Sequence, residues 1–286
     1  MDISTDTDIT INTKTDIEMA IDTKIDEYID MNKLLHVATF AGKILLENGG
    51  ETYRSEETIC RICKVYGVDE AESFVTPTGI MVSICHNDKT YSLIRRVSTR
   101  TVDLDKIDKV NDLSRNITLK NLTVSELNDE LKLIEKGERY SIPITIIFSA
   151  LGAGCFSVLF GGSFMDLFSA FLIGLLIKLI NIKFVDLNIN QFFINAMCGG
   201  IAALFAIIFV EYGIAHNLDK TIIGSIMMLV PGLSITNAIR DTIAGDLLAG
   251  ITRGAEAFLV AISIAVGTGA VISFWISTFG GSLLWF

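Results

Sequence analysis

The run Pro143-Ile-Thr-Ile-Ile-Phe-Ser-Ala-Leu-Gly-Ala-Gly-Cys-Phe-Ser-Val-Leu-Phe160, the link Gly161-Gly-Ser163 and the run Phe164-Met-Asp-Leu-Phe-Ser-Ala-Phe-Leu-Ile-Gly-Leu-Leu-Ile-Lys-Leu-Ile-Asn-Ile182 decide what kind of protein this is. A helix needs about 20 apolar residues to cross a bilayer core. Each run is of that order. Pro143 suits a first helical turn, where its missing N–H costs nothing. The three-residue link leaves room only for a tight antiparallel turn. These are two membrane spans, and lipid is a second solvent for this chain.

Toward the C-terminus the pattern repeats. Residues 192–214 form a third expected span and residues 257–279 a fifth. The fourth, residues 221–235, is short and is broken by Pro231-Gly232. Residues 234–254 read as a half-polar helical segment. Lys178, Lys183, Arg240 and Arg253 fall on one side and only Lys220 on the other, so the N-terminus is expected in the cytoplasm and the C-terminus outside. Trp275, Phe279, Trp285 and Phe286 then lie at the outer interface. Small residues four apart (Ala150 and Gly154, Gly199 and Ala203, Ala265 and Gly269) suit close helix packing in lipid, within the chain or against another subunit.

Toward the N-terminus the chemistry changes. Of the 56 charged residues, 44 lie before residue 141, while 17 of the 23 glycines lie after it. Residues 1–31 are an acidic, low-complexity tail of Asp, Thr and Ile with nine acids and two lysines. It holds most of the net charge of −10. Residues 32–140 read as a nearly neutral α+β domain. Two helices meet at Asn48-Gly49-Gly50, three strands follow with a turn at His86-Asn87-Asp88-Lys89, and two amphipathic helices close it. The expected fold is thus an α-helical membrane protein with five transmembrane helices in residues 141–286, preceded by a cytosolic α+β domain.

Composition excludes several functions. Half of the residues are apolar and mean hydropathy is +0.51, which excludes a disordered or collagen-like chain. The acidic balance disfavours nucleic acid. Cys60, Cys63, Cys85, Cys155 and Cys198 form no bridge framework. Cys60-Arg-Ile-Cys63 lies in a helical pattern with no second pair, and reads as two reduced thiols rather than a metal site. No phosphate-binding loop, no zinc-protease helix and no serine-nucleophile elbow is present. No cofactor is expected, nor an enzyme. The acidic start shows no basic flank or apolar run of a signal peptide.

The chemistry concentrates in residues 229–256. Pro231 breaks the helix ladder at membrane depth, which is tolerated only where protein or a watery cavity satisfies the backbone. Ser234 can cap a new helix whose N-terminus favours an anion. Asn237 and Asp241 share a helix face. Arg240 lies beside them and can hold a carboxylate. Asp246 and Arg253 are seven apart, and Arg253 and Glu256 are three apart. Two readings stand: juxtamembrane salt bridges that fix topology, or a solute site of Pro231, Gly232, Ser234, Thr236, Asn237, Arg240 and Asp241, with proton coupling or gating at Asp246, Arg253, Glu256 and Glu211.

Several ordered motifs resemble the threonine/serine exporter family. They are Asn48-Gly-Gly-Glu-Thr-Tyr-Arg-Ser-Glu-Glu-Thr-Ile59, Val75-Thr-Pro-Thr-Gly-Ile80, Arg96-Val-Ser-Thr-Arg100 with Asp103 and Asn111, and Val230-Pro-Gly-Leu-Ser-Ile-Thr-Asn-Ala-Ile-Arg-Asp241 with Gly245, Asp246, Gly250 and Arg253. The resemblance spans roughly residues 33–280. It implies export of a small polar solute, with threonine, serine or a dicarboxylate such as succinate as candidates. It also marks a cytosolic motif of Glu51, Arg54, Glu56, Thr76, Pro77 and Gly79, which is either a structural cap network or a gate or solute-sensing element. Single-chain exporters of the family carry about ten spans and this chain five. That looks like the split, YjjP-type arrangement, which implies a second small multi-span subunit of the YjjB type. The alternative is a membrane-anchored ligand sensor or scaffold with a cytosolic binding domain.

Overall fold

The computed structural model describes residues 29–137 and 140–279. The expectations for residues 1–28 of the acidic tail, and for Trp285 and Phe286, lie outside the described residues. The chain is mostly helical with one three-stranded sheet, and it divides into two compact units after Gly137.

In the first unit, helix α1 (Met31–Glu47) starts at Asp30, whose carboxylate accepts the N–H groups of Asn32 and Lys33. Such a cap satisfies donors that a helix start leaves open. Gly50 N–H closes the other end on the Leu45 carbonyl at 2.8 Å. Helix α2 (Thr52–Val65) follows at once. Strands β1 (Glu70–Thr76), β2 (Gly79–His86) and β3 (Lys89–Arg96) pair antiparallel in the order β1-β2-β3. Asn87 and Asp88 both take positive φ, 50° and 56°, the turn that matches strand twist in a two-residue hairpin. Helices α3 (Leu104–Lys120) and α4 (Val124–Lys136) complete the unit, the latter behind a Thr123–Glu126 capping box.

Helix α1 is the hub of this unit. It packs on α2, α3, α4, β2 and β3, and Leu34, Ala38, Ala41 and Leu45 are fully enclosed. Val75, Ile80, Val82 and Ile84 carry the buried sheet face into the same core. The opposite face shows Phe74, Met81 and Ile94, directly paired across the three strands, to the outside. Cys60 donates weakly to the Ala71 carbonyl. Burial pushes the neighbouring Cys63 thiol up to about 12, so it stays protonated.

The second unit is all helix: α5 (Ile142–Leu159), α6 (Phe164–Asp186), α7 (Gln191–Glu211), α8 (Leu218–Ile226), α9 (Gly232–Ala244) and α10 (Leu247–Phe279). Four of these, α5, α6, α7 and α10, are long and apolar enough to cross a membrane. The expected fourth span differs. It is split into α8 and α9, of nine and 13 residues, reaching about 14 and 20 Å at 1.5 Å per residue. Residues 227–231 form the turn between them. Leu229 N–H turns back to Ile226 and Val230 N–H to Met227, and Pro231 has no N–H to continue the ladder. Pro231, not Ser234, holds the cap position, and Ser234 lies inside the first turn of α9.

The expected half-polar helix of residues 234–254 is also two pieces. Gly245 takes φ 99°, ending α9, and α10 starts ten residues before the expected fifth span. At 33 residues α10 is about 50 Å long, well beyond the ~30 Å of a hydrocarbon core. The small-residue pairs divide. Ala150 and Gly154 are buried where α5 meets α6, and Gly199 meets α10 at the Ile264 carbonyl. Ala265 and Gly269 face outward. The inner face of α10 is instead set by Ala257, Val260 and Ile264, and the next residue at that spacing is Gly267.

Asp166, whose place near a span end suggests a position at the outer interface, does more. It is fully buried. Its Oδ2 accepts from the Ser163 N–H, the Ser163 hydroxyl and the Asn217 amide. Its Oδ1 accepts the His216 and Asn217 N–H groups, each at 2.8 Å. One carboxylate thus caps α6 and pins the α7–α8 link. Asp166→Ala, which strands these donors together, is expected to destabilise the unit by roughly 3 kcal/mol or more. Thermal melting of the detergent-solubilised protein checks this; an unchanged midpoint would remove the clamp role.

Candidate functional site

The second unit places its polar chemistry in the α9–α10 hairpin. Gly245 turns the chain in a conformation that side chains rarely adopt, and Asp246 N–H returns to the Asp241 carbonyl at 2.9 Å. Gly250 then lies directly on α9: a Cβ there would stand 2.1 Å from Thr242 Oγ1 and 2.9 Å from the Ala238 carbonyl. This close approach sets Arg253 beside Asp241, with Nε 3.2 Å from Oδ2 and the side chains 7 % and 0 % exposed. Asn237, one turn earlier on α9, is buried too.

The structure therefore brings Asn237, Asp241 and Arg253 into one buried region. Arg240, expected beside Asp241 from sequence spacing, is exposed. Helical spacing relates only neighbours along one helix, whereas Arg253 reaches Asp241 across the Gly245 turn. Ser234 and Pro231 are half-buried at the start of α9, and Gly232 and Thr236 are exposed, with the Thr236 hydroxyl donating to the Gly232 carbonyl. Asp246 and Glu256 are half-buried. Glu211 ends α7 and is exposed.

In the first unit, Glu51 stands at the start of α2, is buried, and pairs with Arg54 at 3.1 Å. Glu56 reaches from α2 to strand β1 and accepts the Val75 N–H at 2.7 Å. The segment after β3 folds back onto the same corner: Thr101 N–H meets the Glu47 carbonyl and Asp103 N–H the Asn48 carbonyl. Thr76 hydroxyl donates to the Gly79 carbonyl around buried Pro77. Two motifs some fifty residues apart in sequence, at Asn48 and at Thr101, are thus one cluster.

One polar place was missed from the sequence. Lys178 reads as a lysine one turn from a span end, free to snorkel. In the structure α6 continues to Asp186, so Lys178 lies two turns inside the helix, on a cavity between α5, α6 and the turn after α8. Among the described residues, no group of three or more His, Cys, Asp or Glu is placed to hold a metal.

The sequence model of the family described as "Putative threonine/serine exporter" matches residues 36–275. The chain belongs to the threonine/serine exporter family. This is a family of transporters rather than enzymes, and the four apolar helices fit a multi-pass membrane protein. The "Probable succinate transporter subunit YjjP" of Klebsiella aerogenes is 21 % identical over 235 residues, which is 81 % of this chain and 90 % of that protein. The "Probable threonine/serine exporter" of Mycobacterium tuberculosis is 22 % identical over 239 residues, 82 % of this chain but 45 % of that one. The "Threonine/serine exporter" of Corynebacterium glutamicum is 22 % identical over 245 residues, and this chain spans half of it. No solved structure matches the chain.

Proposed function

We propose that this member of the threonine/serine exporter family is one subunit of a heteromeric secondary transporter of the plasma membrane. It exports a small polar metabolite, either an amino acid like threonine or serine or a dicarboxylate like succinate. The observation that carries this reading is the buried Arg253–Asp241 pair in a hairpin that follows a broken helix. Ionisable groups enclosed in an apolar unit are expensive and are retained for function by default. Broken helices leave backbone groups for a solute.

In this reading α8 and α9 together make the fourth of five crossings and α10 the fifth, the N-terminal α+β unit is cytosolic and the C-terminus is outside. Asn237 and Asp241, with the α9 start from Pro231 to Thr236, form the solute-facing side. Arg253, Asp246 and Glu256 supply charge for coupling or gating. The match to nearly all of a named subunit and to about half of the single-chain exporters supports a second multi-span subunit.

Proteoliposomes holding this chain and its membrane partner are expected to release preloaded labelled threonine, serine or succinate down a proton or solute gradient. No flux of any of these solutes, with both subunits confirmed in the vesicles, would overturn the reading.

A further inference from the structure

A cavity of about 140 Å³ lies within the second unit, away from the Arg253–Asp241 pair in sequence and on different helices. Ser149 of α5, Gly174, Lys178 and Asn181 of α6, and Met228 and Leu229 of the turn after α8 line it. Ligand sites for drug-sized molecules run to about 300–1,000 Å³, so this one admits only a small metabolite or a few waters.

Its polar groups are of a particular kind. Among the described residues, neither the Lys178 ammonium nor the Asn181 side-chain amide makes a hydrogen bond or ion pair within the protein. Lys178 sits eight residues before the end of a 23-residue apolar helix, about 12 Å from that end. A lysine there with no acid to pair it is costly unless something anionic or aqueous meets it. Ser149 adds a hydroxyl and is itself buried. The third wall is the irregular turn after α8: among the described residues, the carbonyls of Met228 and Leu229 accept no hydrogen bond. Gly174 lets α6 lie directly on α5 beside the cavity, since a Cβ there would stand 2.6 Å from Ala153 Cβ.

We infer that this cavity is a carboxylate-binding subsite, in which Lys178 takes the carboxylate of the solute with help from Asn181 and Ser149. The inference rests on the transport reading above and deepens it. Threonine, serine and succinate share a carboxylate, so one cation serves either solute class. The backbone carbonyls of the Met228–Leu229 turn are the acceptors available to an α-ammonium, and a dicarboxylate would leave them unused.

The purified full-length chain, with its membrane partner, is titrated with labelled threonine, serine and succinate and competed with threoninamide and succinamide. The carboxylates are expected to bind and the amides to compete poorly. Lys178→Gln should weaken binding ~10-fold or more, and Lys178→Arg should keep the preference for carboxylate over amide. Unchanged affinity in Lys178→Gln, or amides that bind as well as acids, would overturn the subsite while leaving transport intact. A wild-type protein that binds none of the three solutes would overturn the transport reading and the subsite with it. Should Lys178→Gln fail to fold, the near-isosteric Ser149→Cys decides. Modification at position 149 by a small thiol reagent, read by peptide mass, should slow when the carboxylate is present, and no protection would reject the site.

Discussion

Arg253→Met, with Asp241 left in place, is expected to destabilise the membrane unit by about 3–5 kcal/mol, and Asp241→Leu alone by a similar amount. Both side chains are almost wholly enclosed, 7 % and 0 % exposed, at 3.2 Å. Removing one partner leaves a desolvated charge on the other. The double variant Asp241→Leu, Arg253→Met has no orphan charge, and two apolar side chains of similar bulk often replace a buried pair with little or no loss. Its melting temperature in detergent should therefore return toward the wild-type value. Its transport should not. That split separates a pair kept for function from one kept for folding: a double variant that regains both stability and flux would remove Asp241 and Arg253 from the transport groups.

The reason this pair escapes a linear reading is instructive. Helical spacing finds partners three, four or seven residues apart, and it duly placed Arg240 near Asp241 and set Arg253 against Asp246 and Glu256. Arg253 is 12 residues from Asp241, and they meet only because Gly245 reverses the chain. Along the sequence, the half-polar pattern of residues 234–254 continues through Gly245-Asp246, whereas in the structure Gly245 ends α9 at positive φ. The same blindness applies to Lys178. Its distance from the helix end depends on α6 running past Ile182 through Lys183 and Asp186, charges that sequence hydropathy treats as a boundary. Where local chemistry decides, sequence reading succeeds. Asn48-Gly49-Gly50 ends α1, the Asn87-Asp88 turn joins β2 to β3, and Pro231 interrupts the fourth apolar stretch, as expected from backbone properties alone. What remains invisible is tertiary: Asp166 is two residues inside a span, and nothing in its neighbourhood announces that His216 and Asn217 will come to it.

Close helix packing has the same character, and it yields the sharpest contrast available in this chain. Gly267→Ala adds one methyl group whose carbon would stand 1.8 Å from the Ala196 carbonyl oxygen and 2.6 Å from its carbonyl carbon. The obstacle is backbone on another helix, so no rotamer change relieves it. Contacts between a real Cβ and its neighbours essentially never fall under 3.0 Å, so α7 and α10 must part by about 1 Å along their contact. Overpacking a close-fitted interface costs about 1–3 kcal/mol, occasionally more, and a clash against backbone belongs at the upper end. Gly269→Ala, two residues on, meets nothing within 4 Å and is expected to be neutral, although Gly269 belongs to one of the small-residue pairs that the sequence offers for close packing. Because α10 also carries Arg253 to Asp241, Gly267→Ala should lose folded protein and transport together. Thermal melting and flux of the two alanine variants, side by side, make the test. Equal behaviour of the two would mean that α7 and α10 do not meet at Gly267.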